Sequence, residues 1–369
     1  MPEPAADLRP VSFSTLDGWA ALDAAPVFAT FRRNAAHHAA IPPKTRALGI
    51  DGAALAAIHR RALDRPPSLD PAEARAFFEA HFEPVRVVPR DGEGFLTGYF
   101  EPELEGTRRP DPRFPVALLA RPDDLVDVDD HNRPDDMDPS YAFARRTADG
   151  LVPCFDRAAI EDGALAGRGL ELVFLADPID AYFVHVQGSV RVRLIEGGVA
   201  RLAYAAKAGH PYASIGRLAI ERGLIPAEDM TLARLRALLA EDRERGRVLM
   251  RENRSFVFFR EQDDLDPDLG AIAAAGVQLT PDVSLAVDRT LHTFGTPIFV
   301  DADLPLGPDG ALERRTRLML ADDTGSAIVG PARGDLFLGL GPEAERRAGR
   351  VRHAPRAFVV LRPKGEGTP

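Results

Sequence analysis

The sequence predicts a mainly β protein with helices gathered toward its start, built on barrels rather than on a doubly wound sheet. Three observations carry that expectation. The first hundred residues repeat apolar side chains at helical spacing. Short apolar runs bounded by Gly and Pro then dominate the chain. Few long helices separate those runs, so the repeating strand–helix–strand pattern of a doubly wound sheet is missing.

The elements follow in order. DGAALAAIHRRALD (51–64) and DPAEARAFFEAHF (70–82) read as helices, with Asp70 an N-cap ahead of Pro71. FEPVRVVP (82–89) and GFLTGYFEPEL (94–104) shift to a strand period. Residues 107–150 are rich in Pro, Asp and Arg, with eight aspartates between Asp123 and Asp138. An EF-hand loop begun at Asp127 would need glycine where Asn132 stands and lacks its final Glu, so a solvated loop is expected. Residues 169–205 read as several strands with turns at Asp177-Pro178, Gln187-Gly188 and Gly197-Gly198. A helix follows in ASIGRLAIERG, with Ser214 as N-cap and Gly223 just past its end, and another covers 231–245. Beyond 254 the strands return in RSFVFFR, VQLTPDVSLAVDRT, TPIFVDADL, RTRLMLADD, GDLFLGLG and RAFVVLRP; a helical turn at 341–349 interrupts them.

Composition narrows the function. The chain has 369 residues, 45% hydrophobic and 28% charged, the balance of a soluble globular protein with room for two domains. Its 56 acidic against 46 basic side chains give a net charge of -10, which argues against nucleic acid as the main partner. One cysteine, Cys154, permits no internal disulfide. No window reaches the length of a membrane span, and the start carries neither the basic and apolar regions of a leader nor a lipidation cysteine. The expectation is that the protein stays inside, lacks its leader in this chain, or is exported by another route.

Phosphate loops, nucleophile elbows, zincin motifs and Cys pairs are all missing, and the nine histidines are scattered. Neither a metal nor a nucleotide is expected, which leaves carboxylates. LADDTGSAIVGPARGDLFLGLG (320–341) holds the DTGS of pepsin-like proteases at Asp323–Ser326, but a chain this long would need a second such turn, and none exists. Asp335 follows a Gly-Pro-Ala-Arg-Gly turn and opens the apolar run Leu336–Leu338. Apolar surroundings disfavour the charged carboxylate and raise its pKa, as a general acid requires. On the residues alone, a turn-capping role for Asp335 is the stronger of the two readings.

Five separated motifs then resemble the MltA-type membrane-bound lytic transglycosylases of Gram-negative bacteria. They are GFLTGYFEPELEG (94–106), DPIDAYFVHVQGSVRVRL (177–194), AYAAKAGHPYASIGRLAIERG (203–223), NRSFVFFR (253–260) and a last third like the family's 3D domain. The three aspartates of that domain fall at Asp288, Asp323 and Asp335. The resemblance implies a double-psi β-barrel formed by residues 1–105 and 235–369, a second barrel inserted at 106–234, and a substrate groove between them.

It also implies an activity: cleavage of the β-1,4 bond between N-acetylmuramic acid and N-acetylglucosamine of peptidoglycan, with the muramyl C6 hydroxyl attacking C1 to leave a 1,6-anhydro ring. The family's catalytic acid and base maps onto Asp335, with Asp323 and Asp288 as supporting groups. Gln187, Gly188 and Ser189 would present a turn and polar groups to sugar, Tyr99 a stacking face; Tyr204 and Lys207 are further substrate-binding candidates. No cofactor is implied. Peptidoglycan strands are the expected partner of a monomer, in the periplasm or at the outer membrane, where association with a wall complex is possible. The rivals are a hydrolase on the same barrel and a non-catalytic, expansin-like glycan binder.

Overall fold

A computed structural model describes residues 5–307 and 310–365. Its helices begin with Ala25–Ala40, Gly52–Leu63 and Pro71–His81. Asp51 starts the second by accepting from the N–H groups of Ala53 and Ala54. Asp70 starts the third with a reciprocal capping box, its carboxylate on Glu73 N–H and the Glu73 carboxylate on its own N–H. Phe28, Phe31, Leu55, Ile58, Phe77 and Phe78 form one buried cluster with Phe299, Leu318, Val359 and Leu361 from strands.

Those strands belong to a nine-strand sheet. Its order is Ala6–Pro10, Phe82–Pro89, Pro355–Pro363, Pro297–Leu304, Glu313–Asp323, Ser284–Val287, Arg333–Leu340, Phe95–Glu101 and Arg352–His353. Neighbours in this order come from distant parts of the chain, so C-terminal strands lie among N-terminal ones. The chain divides into two compact units, one of residues up to Phe100 together with those from Asp266 onward, the other Glu101–Leu265.

The second unit holds a six-strand sheet in the order Val257–Glu261, Val199–Lys207, Ser189–Leu194, Glu103–Thr107, Glu171–Leu175 and Val116–Leu119. A bridge between Ala120 and Phe259 brings its two edges together at that point. Glu101 is fully buried within this unit, where one carboxylate oxygen faces Arg191 at 3.4 Å and Arg201 at 3.3 Å.

Two expectations need correction. Residues 178–187 are a helix, Pro178–Gln187, not a strand. Asp177 caps it and Pro178 occupies its first turn, where a missing N–H costs nothing. Its apolar residues show no one-sided period because it is covered on two sides. Ile179, Tyr182 and Phe183 pack among helices, while Ala181 and Val184 join the sheet cluster. The region 231–245 is two helices, Leu232–Glu241 and Arg243–Arg251, broken where Asp242 leaves helical geometry and caps the second. Leu235, Leu239, Leu249 and Met250 bury against Ile179, Tyr182 and Phe183, so the second unit continues past the expected boundary at 234 as far as Leu265. Residues 1–4, 308–309 and 366–369 of the expected barrel domain lie outside the described residues.

Candidate active site

In Arg333–Leu340, alternate side chains face opposite ways. Leu336 and Leu338 are buried, and Gly334 is pressed so close to Leu285 and Leu96 that an added Cβ would stand 3.1 Å from each. Arg333, Asp335 and Phe337 take the other face. The adjacent strand Phe95–Glu101 answers with Phe95, Thr97 and Tyr99. Contacts step along both strands together: the Arg333 guanidinium lies over the Phe95 ring at 5.4 Å, Thr97 Oγ1 donates to Asp335 Oδ1 at 2.5 Å, and Tyr99 packs on Phe337 with ring centroids 5.2 Å apart.

The second carboxyl arrives from the other side. Ser284–Val287 lies between Arg333–Leu340 and Glu313–Asp323, and its Ala286 is level with Asp335 in one ladder and with Asp323 in the other. The two carboxyl-bearing residues thus flank one small methyl, two strand spacings or about 10 Å apart along a flat sheet. A register shift after Leu285 lets this happen. It takes up the extra residue Asp322, which turns to accept from Ser284 Oγ at 2.7 Å and is fully buried. Asp323 accepts from the Tyr99 phenol at 3.0 Å and from Ala274 N–H at 3.2 Å.

Burial raises the pKa of Asp335, opposed by the Arg333 guanidinium and the Thr97 hydroxyl. Asp323 is raised by burial too, against the N–H groups of Thr324 and Ala274 and the Tyr99 phenol, with a further push from the Asp335 charge. Tyr99 is driven well above its ordinary range by burial and both aspartates, so its phenol stays a donor. Burial lifts Asp322 to about 7. The result is a patch where a carboxyl keeps its proton more readily than in water.

Not every sequence candidate serves this patch as expected. Tyr99 is only 8% exposed, its ring inside a cluster with Leu279, Ala286, Ile328 and Phe337. It offers Asp323 a hydrogen bond rather than sugar a stacking face. Asp288 uses both oxygens on backbone and hydroxyl groups: Oδ1 accepts from Thr290 N–H (2.9 Å) and Oγ1 (2.6 Å), Oδ2 from Gly330 N–H (2.8 Å). With the His292 Nε2–Pro331 O bond of 2.8 Å, it ties down the loop that leads into Arg333 and Asp335. The DTGS segment closes a strand, Thr324 Oγ1 donating to Val287 O at 2.8 Å.

Gln187, Gly188, Ser189, Tyr204 and Lys207 lie in the other unit. Gly188 adopts positive φ (+82°) at the end of Pro178–Gln187, and its carbonyl accepts from Tyr204 N–H at 2.7 Å. This brings the Gln187–Ser189 turn beside Tyr204, whose side chain is exposed, whereas Ser189 is buried. Lys207, half-buried at the end of the same strand, has its pKa lowered by burial.

Thr97, Arg333 and Asp322 escaped the sequence reading. Thr97 stands two residues before Tyr99, and Arg333 two before Asp335, so strand alternation alone could have placed each beside its neighbour. Among the described residues no group of three His, Cys, Asp or Glu side chains is arranged to hold a metal ion.

Comparison with known proteins agrees with this architecture. Residues 95–260 match the MltA specific insert domain and residues 283–361 the 3D domain. The membrane-bound lytic murein transglycosylase A of Vibrio cholerae is 34% identical over 277 residues, 73% of this chain and 66% of that protein, so the match spans just under two thirds of the relative's length. A solved membrane-bound lytic murein transglycosylase from Agrobacterium tumefaciens is 42% identical, with a TM-score of 0.89 over 97% of this chain and 98% of that one. MltA from Neisseria gonorrhoeae is 28% identical, with a TM-score of 0.78 over 99% of this chain and 94% of that one.

Proposed function

We propose that this chain, which belongs to the MltA family of lytic murein transglycosylases, cleaves the β-1,4 bond between N-acetylmuramic acid and N-acetylglucosamine in peptidoglycan. The observation that carries the reading is Asp335, a half-buried carboxyl raised in pKa by its surroundings and aligned by a hydroxyl. A general acid must hold its proton at working pH, and that environment favours the protonated form. Asp335 gives its proton to the glycosidic oxygen as the bond to C1 breaks. The carboxylate then takes the proton of the muramyl C6 hydroxyl as O6 bonds to C1, and a 1,6-anhydro ring closes.

Most glycosidases need two carboxyl groups, the second to activate water or act as nucleophile. Here the nucleophile belongs to the substrate and is already in place, so proximity supplies what a second catalytic group would. Asp323 supports the site through its charge and its bond with Tyr99. Asp288 supports it by holding the 330–331 loop. Gln187, Gly188, Ser189, Tyr204 and Lys207 contact the glycan strand, and the protein acts on the wall in the periplasm.

Mass spectrometry of products from purified sacculi tests this reading. Anhydro-ended muropeptides support it; water-added products would indicate a hydrolase, and binding without release an expansin-like protein. Asp335→Ala should abolish release while leaving glycan binding. Normal turnover by that variant would move the acid elsewhere.

A further inference from the structure

Asp335 has two oxygens, and the acid step needs its proton on one of them. From the contacts around Thr97 we infer that Arg333 and Thr97 act as positioning residues that reserve Asp335 Oδ2 for the proton. The inference deepens the transglycosylase reading and rests on it.

The argument is a count of donors. Arg333 Nη2 donates to Thr97 Oγ1 at 2.7 Å. A guanidinium has only donors, so this bond occupies a lone pair of the hydroxyl and cannot run the other way. Thr97 has one O–H, and at 2.5 Å Asp335 Oδ1 receives it. While Thr97 donates, Oδ1 is an acceptor, and a proton placed there would force the Thr97 hydrogen to turn away and give up its carboxylate acceptor. The anchored guanidinium keeps one lone pair of the hydroxyl occupied, so the arrangement that leaves the Thr97 O–H on Oδ1 is the one that satisfies every donor shown around it. The guanidinium donates to Phe95 O at 3.3 Å and to Gly334 O, and it lies over the Phe95 ring. Oδ2 has no partner among the described residues and is left to carry the proton.

The interposed hydroxyl also answers an electrostatic problem. An arginine paired directly with a carboxylate favours its ionised form and would strip an acid of its proton. Among the described residues Arg333 makes no direct ion pair with Asp335; its charge lowers the Asp335 pKa from a distance, and its hydrogen bond goes to the Thr97 oxygen. Orientation is gained with only part of the depression in pKa. Once the proton has gone to the glycosidic oxygen, the same O–H···O contact becomes charge-assisted and steadies the carboxylate until it takes the C6-OH proton.

The ionisable groups facing Asp335 are Arg333 on its own strand, Tyr99 on Phe95–Glu101 and Asp323 at the end of Glu313–Asp323; Ser284–Val287 contributes the neutral Ala286. Thr97 and Arg333 both lower the Asp335 pKa, so removing either raises it. Activity that needs the protonated acid declines as pH climbs through that pKa, and this alkaline limb should then move to higher pH.

The test measures kcat, KM and pH dependence of anhydro-muropeptide release for the full chain and its Thr97→Val, Thr97→Ser and Arg333→Met variants, with thermal unfolding as a check of folding. For Thr97→Val the expected result is a kcat lower by about tenfold or more, a KM within about twofold, and the alkaline limb displaced upward. Thr97→Ser should restore most of kcat and return the limb. Arg333→Met should displace the limb in the same direction. Unchanged kcat in Thr97→Val, an unmoved limb, or a loss that Ser does not repair would each overturn the assignment. If the unaltered chain released water-added products or none, the functional reading would fall first and this inference with it, a result distinct from any seen in the variants.

Discussion

Tyr99 and Asp323 stand three places apart in the nine-strand order, yet the phenol donates to Asp323 Oδ2 at 3.0 Å. On a flat sheet strands so placed are separated by about 14 Å. The sheet therefore curls with this face inside, gathering Asp323, Asp335 and their hydroxyl partners on its concave surface. Tyr99→Phe removes the donor and leaves a half-buried carboxylate oxygen short of a partner. We expect a stability loss of about 1–3 kcal/mol and a further rise in the Asp323 pKa, since the phenol lowers it. Denaturant unfolding and NMR titration of the Asp323 carboxyl carbon would check both.

Asp288 predicts a different pattern. Its three accepted hydrogen bonds clamp residues 288–290 to Gly330, and nothing places it in contact with Asp335. Asp288→Ala should cost about 3 kcal/mol and lower activity in step with the folded fraction. Asp288→Asn, which keeps an acceptor for Thr290, should lose less. A variant that stayed fully stable and yet lost all turnover would instead argue for a direct catalytic role.

Asp322 titrates in the folded protein at about 7 rather than 3.8. A carboxyl whose folded pKa is raised favours folding while it is protonated, and its contribution declines as pH rises from 3.8 through 7. Across that window the decline amounts to about 4 kcal/mol at 1.4 kcal/mol per pKa unit. Asp322→Asn cannot ionise, so its Tm relative to the unaltered protein should increase between pH 4 and pH 8. The buried histidines shift in the opposite sense, His292 to about 4, but they are common to both proteins and cancel in the difference. A Tm difference that stayed level with pH would mean Asp322 is already neutral, or already charged, throughout.

Gly98 sits between Thr97 and Tyr99 with its back to the helix Gly341–Ala348. A Cβ there would stand 2.9 Å from the Ala348 Cα and 3.0 Å from the Leu338 side chain. Backbone cannot give way cheaply, so Gly98→Ala should destabilise by about 1–3 kcal/mol and shift Thr97 relative to Asp335. Chemical denaturation measures the first effect, and a kcat loss larger than the KM change would report the second.

In the second unit, Glu101→Ala would leave Arg191 and Arg201 facing a vacated carboxylate site. Removing one member of a buried charge cluster costs about 3–5 kcal/mol. Glu101→Gln, which keeps the shape and one acceptor, should cost less. Equal stability of the two variants would show that charge, not packing, is what Glu101 contributes.

Much of this was legible in the chain. Gly52–Leu63 and Pro71–His81 were readable because apolar period, Asp caps and Pro71 are all local signals. Asp335 was readable as a candidate acid from its apolar run, and the family motifs raised that candidate above a turn cap. Helix Pro178–Gln187 was not, because a helix buried on two sides loses the one-faced pattern that identifies it. Residues two apart on a strand share a face, so Thr97 could be placed beside Tyr99 and Arg333 beside Asp335.

What no local pattern could provide was the partner of each. Thr97 and Asp335 are 238 positions apart in sequence, and their contact depends on which strands become neighbours. The level row of Asp335, Ala286 and Asp323 depends further on a one-residue register shift that turns Asp322 inward. Sequence alone thus determined most of the kinds of element, the buried helix Pro178–Gln187 excepted, and the carboxyl groups available for chemistry, because these follow from short-range periodicity and side-chain type. Tertiary structure alone decided which hydroxyl and which guanidinium govern Asp335, because strand order and register are set by pairing between distant segments.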